Sequence, residues 1–237
     1  MTKVIIFVPL AGYRPYSQMV EALTNAKNYL VSVTNQFELR DFYCKVFPIH
    51  ANRNACVGHA VEGFQLDNGE RWMPDISIWI DADTVIPYDG LLKLLNPDYK
   101  IMSGLYRLKK EPYHELVFRR WKYDVEGDIW VYLPITDYGT DIFPADSVGM
   151  GCARVDVDIL AALDPPHFKY QRPSRLEAGE HEGLDFLIKW YVETNTEEAW
   201  FWRKVVDKGF DIWVDPTIKC KHMTEVPIDD KYIENLK

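Results

Sequence analysis

Two carboxylates one residue apart follow a short apolar run in the segment WIDADTVIP. Asp81 and Asp83 come directly after residues 76–80, which we interpret as a buried strand. Because residues i and i+2 of an extended chain point to the same side, both carboxylates can face one ion. Hard oxygen ligands favour Mg²⁺ or Mn²⁺, whose coordination is usually completed by substrate phosphates and water. The pair therefore predicts a cation that binds a diphosphate; the alternative is a D-x-D that only ends a strand and caps a turn.

Strands and helices alternate around this pair through the first hundred residues. The continuous apolar run at residues 4–8 is typical of a strand covered on both faces. Further strands are predicted over residues 37–49, 76–80 and 101–105, and helices over residues 16–29, 52–65 and 89–95, with Asn52 as a cap. This order predicts parallel strands joined by crossover helices in an α/β sandwich. Such sheets bind ligands outside the carboxyl ends of their strands.

The second half of the chain is less regular. We expect an antiparallel hairpin within residues 106–146 and an irregular insertion over residues 164–195. Two further strands are predicted over residues 148–155 and 211–214. A helix is predicted over residues 197–208, ended by Gly209, and a tail follows from residue 215. These elements add a second half that completes the site.

Composition narrows the class of partner. The 237 residues are 47% hydrophobic, which supports a real core, and carry a net charge of −9. The segment YRLKKEPYHELVFRRWKY interleaves basic and aromatic residues and would suit nucleic acid by charge and stacking. The net negative charge of the chain instead favours a solvated hairpin, so nucleic acid is not the favoured partner.

The cysteines and the apolar runs bear on location. Cys44, Cys56, Cys152 and Cys220 have the spacing of neither a zinc site nor a disulfide framework. We therefore expect reduced thiols and a cytoplasmic location. The apolar run at the N-terminus is too short for a signal peptide, and no other run approaches about 18 residues, so we expect no membrane span.

Five further segments accompany WIDADTVIP. IIFVPLAGYRP and ANRNACVGHAVE precede it, and SGLYRLKKEPY, VGMGCARVDVDIL and TEEAWFWRKVVDKGFDIWVDPTIKCKH follow it. In these segments the chain resembles the GT-A fold nucleotide-sugar glycosyltransferases, most of all the small family-2-like enzymes of phages and bacteria. The resemblance spans nearly the whole chain. It implies a single GT-A domain over residues 1–237, a Rossmann-like α/β/α sandwich with a mainly parallel central sheet and a small antiparallel portion. Residues 1–105 would form the nucleotide-binding half and residues 106–237 the half that binds sugar and acceptor.

The resemblance assigns the metal ligands. Asp83 would bind the cation directly, Asp81 would contact ribose or a metal-bound water, and His222 would complete the coordination. Imidazole is a better ligand for Mn²⁺ than for Mg²⁺, so Mn²⁺ is the favoured cofactor and Mg²⁺ the second choice. The alternative for His222 is an exposed side chain in a C-terminal tail.

Nucleotide contacts are implied for eight positions: Pro9, Ala11, Tyr13, Arg14, Arg53, Asn54, Asp81 and Ala82. Tyr13 would stack on a base and Arg14 would pair with a phosphate. A cation at a helix N-terminus is unfavourable, so Arg53 calls for a bound anion or for the Asp81 and Asp83 carboxylates. The alternatives are a solvated turn and a surface arginine.

Catalytic and sugar-binding positions follow from the last segments. Glu198 would act as the general base that deprotonates the acceptor hydroxyl, with Glu197 in reserve, although acidic residues also stabilise any helix N-terminus. The family commonly has Asp where Glu198 stands. Sugar or acceptor contacts are implied for Asp146, Gly149, Met150, Gly151 and Trp200, whose alternatives are a bulge, a turn and core packing.

The expected activity is metal-dependent transfer of a sugar from a nucleotide-diphosphate donor, UDP-sugar favoured, to an acceptor hydroxyl, with inversion. The acceptor would be a glycan or, in a virus, a modified DNA base, in which case the location is the host cytoplasm. Two rivals stay open. A nucleotidyltransferase or sugar-nucleotide pyrophosphorylase usually has a glycine-rich basic loop after the first strand, which PLAGYRPY fits poorly. A non-catalytic sugar-nucleotide-binding module is the other.

Overall fold

The computed structural model describes residues 1–10, 15–109, 113–124, 129–170 and 196–223. Its helices are α1 (Ser17–Val33), α2 (Ile49–Glu62), α3 (Gly90–Leu94), α4 (Val157–Ala162) and α5 (Glu197–Asp207). Its longer strands are β1 (Thr2–Pro9), β2 (Phe37–Cys44), β5 (Ile76–Ile80), β7 (Ile101–Leu105), β8 (Val117–Asp124), β9 (Ile129–Pro134), β12 (Cys152–Asp156) and β13 (Ile212–Lys219). The short strands are β3 (Phe64–Gln65), β4 (Arg71–Trp72), β6 (Thr84–Val85), β10 (Phe143–Ala145), β11 (Ser147–Val148) and β14 (Lys221–His222).

The central sheet has seven strands in the order β10-β13-β7-β12-β5-β1-β2. Strands β1, β2, β5, β7 and β13 run in one direction, whereas β12 and β10 are antiparallel to their neighbours. The expected α/β class with a mainly parallel sheet is confirmed at this level. Strands from residues 1–105 and 106–237 interleave, because β12 lies between β5 and β7.

Helices cover both faces of this sheet. Alternate residues of β1 enter two apolar clusters, one containing α1 and α3 and the other containing α2, α4 and α5. Helix α1 packs through Met19, Leu23, Ala26 and Leu30, which recur every three or four residues and so form one apolar stripe. The result is three layers, with buried free thiols at all four cysteines.

In the described part of the chain, the strands that pair antiparallel are those of the smaller sheets together with β10 and β12 of the central sheet. The predicted hairpin within residues 106–146 is confirmed as β8 and β9, joined by β11 in a three-stranded sheet. Strands β3 and β4, and strands β6 and β14, form two further two-stranded antiparallel sheets. The β6-β14 pair aligns His222 with Thr84, which brings the tail of the chain next to the D-x-D turn.

Several predicted boundaries were wrong: the strand predicted over residues 37–49 ends at Cys44, and the one predicted over residues 148–155 begins at Cys152. Two other differences have identifiable reasons. Asn52 does not cap α2, which begins three residues earlier at Ile49. Its buried amide instead donates to the carbonyls of Cys44 and Val46, at 2.9 and 3.0 Å, and so ties β2 to α2. The last strand, predicted over residues 211–214, continues to Lys219 because it pairs with β7 beyond Val214 through an irregular register.

Among the residues that the structure describes, no helix has both the length and the apolar character that crossing a membrane requires.

Candidate active site

A cleft of about 540 Å³ lies at the carboxyl ends of β1 and β5, where ligands of parallel sheets bind. Six sequence-predicted residues line it: Pro9, Arg53, Asp81, Ala82, Asp83 and His222. They come from four separate segments of the chain, so their convergence is a property of the fold. Leu10, Tyr16, Ile49 and Lys109 also line the cleft and were not assigned to it from the sequence.

Arg53 is the centre of a buried charge network beside the cleft. Its Nη2 donates to both carboxylate oxygens of Asp81, at 3.0 and 3.2 Å. Its Nη1 lies 2.7 Å from Glu197 Oε1 and 2.8 Å from Glu198 Oε1. Burial alone would lower the pKa of this guanidinium, but the three carboxylates outweigh it and raise the pKa well above the usual value. With 3% of its side chain exposed, Arg53 is fixed in place rather than solvated as in the surface alternative.

The D-x-D carboxylates have different partners. The amide of Thr84 donates to the carbonyl of Asp81 at 3.0 Å, so residues 81–84 form a turn instead of an extended chain. The expectation that Asp81 and Asp83 point to the same side, which assumed an extended chain, therefore does not apply here. Asp81 turns to Arg53, whereas Asp83 turns to Lys109 and His222. In the described part of the chain, no three His, Cys, Asp or Glu side chains converge in a way that would hold a metal ion.

Asp83 stays ionised at neutral pH. Burial raises its pKa, but the contacts with His222 and with the Lys109 ammonium outweigh burial and bring the pKa down to about 2. Asp81 behaves in the opposite way, because burial and the neighbouring Asp83 raise its pKa despite the attraction of Arg53. Two carboxylates separated by one residue thus differ in proton affinity.

His222 is oriented for ligation by its backbone contact. Its Nδ1 lies 2.7 Å from the carbonyl of Arg107, which can only accept, so Nδ1 carries the proton. Its other nitrogen, Nε2, faces Asp83 Oδ1 at 3.5 Å and is the atom that would bind a metal. An imidazole held in this way beside a carboxylate fits a divalent cation, and the Lys109 ammonium already stands as a cation on Asp83. The donor set is therefore compatible with Mn²⁺ at Asp83 and His222.

The glycine segment 149–151 packs against the same turn. Strand β12 runs antiparallel to β5 and pairs Cys152 with Ile80, which sets Gly151 beside Asp81. The amide of Asp81 donates to the Gly151 carbonyl at 3.1 Å. A Cβ on Gly151 would lie 2.8 Å from Asp81 Oδ2 and 2.9 Å from the Tyr106 hydroxyl. The glycine is thus required by the close approach of protein side chains.

Glu198 lies in the first turn of α5; it contacts Arg53 and is not among the residues that line the cleft. Its Oε1 accepts from the Met150 amide at 3.1 Å, and 18% of its side chain is exposed. Burial is the main cause that raises its pKa to about 7; Glu197 and Asp81 add to the rise, and Arg53 opposes it. Glu197 is 5% exposed and pairs with Arg53. Glu198 is therefore poised to exchange a proton near neutral pH.

Asn54, assigned to the nucleotide, faces away from the cleft. Its amide oxygen accepts from the backbone amides of His167 and Phe168, both at 3.0 Å, and its nitrogen donates to the Phe168 carbonyl at 2.8 Å. Asn54 therefore anchors the chain after α4 to α2.

Asp146 and Trp200, assigned to sugar or acceptor, also lie apart from the cleft. Asp146 accepts from the Arg120 amide at 2.7 Å and lines a separate cavity of about 420 Å³. Trp200 donates from Nε1 to the Pro166 carbonyl at 3.2 Å. Three further nucleotide assignments, Ala11, Tyr13 and Arg14, and residues 171–195 of the expected insertion lie outside the described residues.

Tyr106 was missed by the sequence reasoning. Its buried hydroxyl accepts from the Gly151 amide at 2.7 Å, and its ring meets the His222 ring edge-on with centroids 5.2 Å apart. A tyrosine after an apolar strand gave no signal of this role. Lys109 was noticed, but only as part of the basic hairpin segment.

Besides Lys109, two arginines of the basic segment pair with carboxylates. Arg107 lies 2.7 Å from Glu115, and Arg120 lies 2.7 Å from Asp207. The Arg120 guanidinium also stacks over the Trp130 ring at 4.8 Å. These contacts explain how basic and aromatic residues coexist on the hairpin of an acidic protein.

No family model matches the chain, and no curated protein matches it. Among solved structures, the crystal structure of A197 from STIV is similar to this chain with a TM-score of 0.57. The match covers 98% of this chain and 91% of that chain at 13% sequence identity. At this identity the similarity concerns the fold alone, and it extends over both halves of the chain.

Proposed function

We propose that this chain is a GT-A type glycosyltransferase that moves a sugar from a nucleotide-diphosphate donor, UDP-sugar favoured, to an acceptor hydroxyl with inversion. One observation carries the proposal. Arg53 contacts Asp81 at the cleft and Glu198 on α5, at 3.0 and 2.8 Å, so one buried side chain joins the candidate phosphate site to the candidate base.

The donor nucleotide belongs in the cleft at the carboxyl ends of β1 and β5. Its volume of about 540 Å³ lies within the usual range of about 300–1,000 Å³ for ligand pockets. Pro9, Tyr16 and Ala82 supply apolar and aromatic surface for the nucleoside, and Lys109 supplies positive charge for the diphosphate. The donor sugar would extend towards Glu198, across the interval that Arg53 spans.

A divalent cation, Mn²⁺ favoured and Mg²⁺ second, would be held by Asp83 and His222. When bound, it would offset the negative charge that develops on the departing diphosphate. Arg53 keeps Asp81 in place beside it, and the Arg107 carbonyl keeps the His222 ring in the orientation that ligation requires.

Glu198 would accept the proton of the acceptor hydroxyl. The Met150 amide and Arg53 both contact Oε1, which fixes the carboxylate and leaves Oε2 as the oxygen that we assign to the proton. With a pKa of about 7, the carboxylate is largely ionised just above neutrality and still basic enough to take a proton. Attack by the resulting alkoxide on the far side of the anomeric carbon gives inversion.

The test is turnover with a panel of nucleotide sugars and Mn²⁺, with release of the nucleoside diphosphate and sugar transfer measured separately. We expect Asp83→Asn and Glu198→Gln each to lower transfer by about 10² to 10⁴-fold. Matched controls are Asp158→Asn, in an exposed pair with Lys100, and Glu38→Gln on β2, which should retain activity.

The rivals give other results in the same assay. Formation of a nucleoside triphosphate from pyrophosphate would identify a nucleotidyltransferase. Nucleotide binding without turnover, unchanged by Asp83→Asn, would identify a non-catalytic module. Either result would overturn the proposal.

A further inference from the structure

Lys109 pairs with the Asp83 carboxylate, the group that would bind a metal ion. Its ammonium contacts Asp83 Oδ2 inside the cleft, while His222 Nε2 faces the other oxygen, Oδ1, at 3.5 Å. The protein therefore places a cation of its own on the predicted metal ligand, between two chain segments 26 residues apart.

Lys109 and Arg53 both contact the D-x-D turn, but they differ in freedom. The Arg53 side chain is 3% exposed and contacts three carboxylates. Moving it away from Asp81 would leave a buried carboxylate without a cation. The Lys109 side chain is 36% exposed and ends a flexible four-carbon stem. Lys109 can therefore leave Asp83 for water or for another anion at much lower cost.

A divalent cation on Asp83 would lie within a few ångströms of this ammonium, and the two positive charges would repel each other. Metal binding thus requires Lys109 to move. A diphosphate in the same cleft offers the ammonium a new partner, because phosphate oxygens, like carboxylate oxygens, accept charge-assisted hydrogen bonds from a lysine. The metal would displace Lys109 from Asp83, and the diphosphate would bind the displaced ammonium, so each ligand would favour binding of the other.

We propose that Lys109 is an exchangeable counterion, which neutralises Asp83 before ligands bind and transfers to the donor diphosphate when the cation enters. This inference rests on the proposed function and deepens it. It means that Lys109 is a positioning residue that couples the two binding events, so that the cation binds weakly alone and tightly with the nucleotide.

Lys109→Met tests the exchange by binding instead of activity. Mn²⁺ affinity is measured from the paramagnetic resonance of free Mn²⁺, with and without UDP, and UDP affinity is measured by calorimetry without metal. Lys100→Met is the matched control, because it also breaks a lysine–aspartate pair, at 2.6 Å from Asp158 and remote from the cleft. Thermal unfolding of each variant establishes that it is folded.

For Lys109→Met we expect Mn²⁺ alone to bind about tenfold more tightly than in the wild type, UDP alone to bind more weakly, and the coupling between them to fall by at least a similar factor. The control should match the wild type in all three. If both ligands bind the wild type but Lys109→Met leaves Mn²⁺ affinity unchanged, the exchange is overturned and the proposed function survives. If the wild type binds neither ligand, both are overturned.

Discussion

Arg53 Nη1 and Glu198 Oε1 lie 2.8 Å apart, although 145 positions separate the two residues in the chain. The same guanidinium reaches Asp81 at 3.0 Å through Nη2. Helix α2, the end of β5 and the start of α5 are therefore joined by one side chain. Since a guanidinium has a rigid planar fork, it fixes the relative positions of these carboxylates more tightly than a lysine would.

Arg53→Met should destabilise the fold strongly, because it leaves three acidic side chains without their buried partner. We expect a loss of about 3–5 kcal/mol in the free energy of unfolding, measured by urea denaturation at pH 8. The loss should be smaller at pH 5, where the abandoned carboxylates can take up protons. Arg40→Met, which removes an exposed arginine 3.4 Å from Glu38, should cost about 1 kcal/mol or less. Equal losses in the two variants would contradict the role given to Arg53.

Glu198 should make the folded chain less stable as pH rises. The folded carboxyl has a pKa of about 7 and the unfolded one the ordinary value of 4.5, so the folded state holds more protons between these values. Stability contributed by Glu198 is therefore complete below about pH 4.5, falls as pH rises towards 7, and is lost above it. Glu198→Gln cannot ionise, so its stability relative to the wild type should increase by about 2–3 kcal/mol from pH 4.5 to pH 8.

The measurement is denaturant unfolding of the wild type and Glu198→Gln across this pH range. A difference in stability that stays constant with pH would show that Glu198 titrates near its ordinary value. Transfer activity of the wild type should rise over the same interval, because the ionised carboxylate is the form that accepts a proton.

Local patterns predicted the central strands and the edge of the sheet that forms the cleft. Residues 76–80 are apolar throughout and parallel strands bind ligands at their carboxyl ends, so the position of Asp81 followed from the sequence. The turn at residues 81–84 was not predictable in this way, since its shape depends on the antiparallel strand β12 and on Gly151. An i, i+2 rule assumes an extended backbone that tertiary pairing has replaced.

Local sequence patterns also could not predict the full charge network around Arg53. The sequence showed that a cation at a helix N-terminus is unfavourable, and either a bound anion or the Asp81 and Asp83 carboxylates were expected to compensate Arg53. The contacts with Glu197 and Glu198 depend on the placement of α5 against α2, about 145 positions away. Asn54, adjacent to Arg53, shows the limit of the resemblance, because its amide is engaged by the backbone of residues 167–168.

Gly151→Ala should disturb the D-x-D turn directly. The new methyl group would meet Asp81 Oδ2 at 2.8 Å and Thr84 Oγ1 at 2.9 Å. The Asp81 carboxylate is held by Arg53 and Thr84 is fully buried, so moving either side chain is costly. We expect a loss of about 1–3 kcal/mol in stability and weaker Mn²⁺ binding. Gly58→Ala is the matched control within α2: nothing lies within 4 Å of its added Cβ, so it should stabilise the fold by about 0.5–1 kcal/mol. Destabilisation by Gly58→Ala, or none by Gly151→Ala, would contradict this account.

Tyr106→Phe should separate the support of the glycine segment from the packing of the ring. The ring would still meet His222 and fill the same space, but the Gly151 amide would lose the hydroxyl that accepts its proton at 2.7 Å. A buried amide without a partner costs about 1–3 kcal/mol, so unfolding by urea should begin at a lower concentration. Because the Gly151 carbonyl also accepts from the amide of Asp81, amide hydrogen exchange at Gly151 and Asp81 should accelerate more than it does within β5. Tyr88→Phe, at a ring that is 62% exposed, should change neither quantity. Exchange that stays slow at both amides in Tyr106→Phe would show that the hydroxyl does not support the turn.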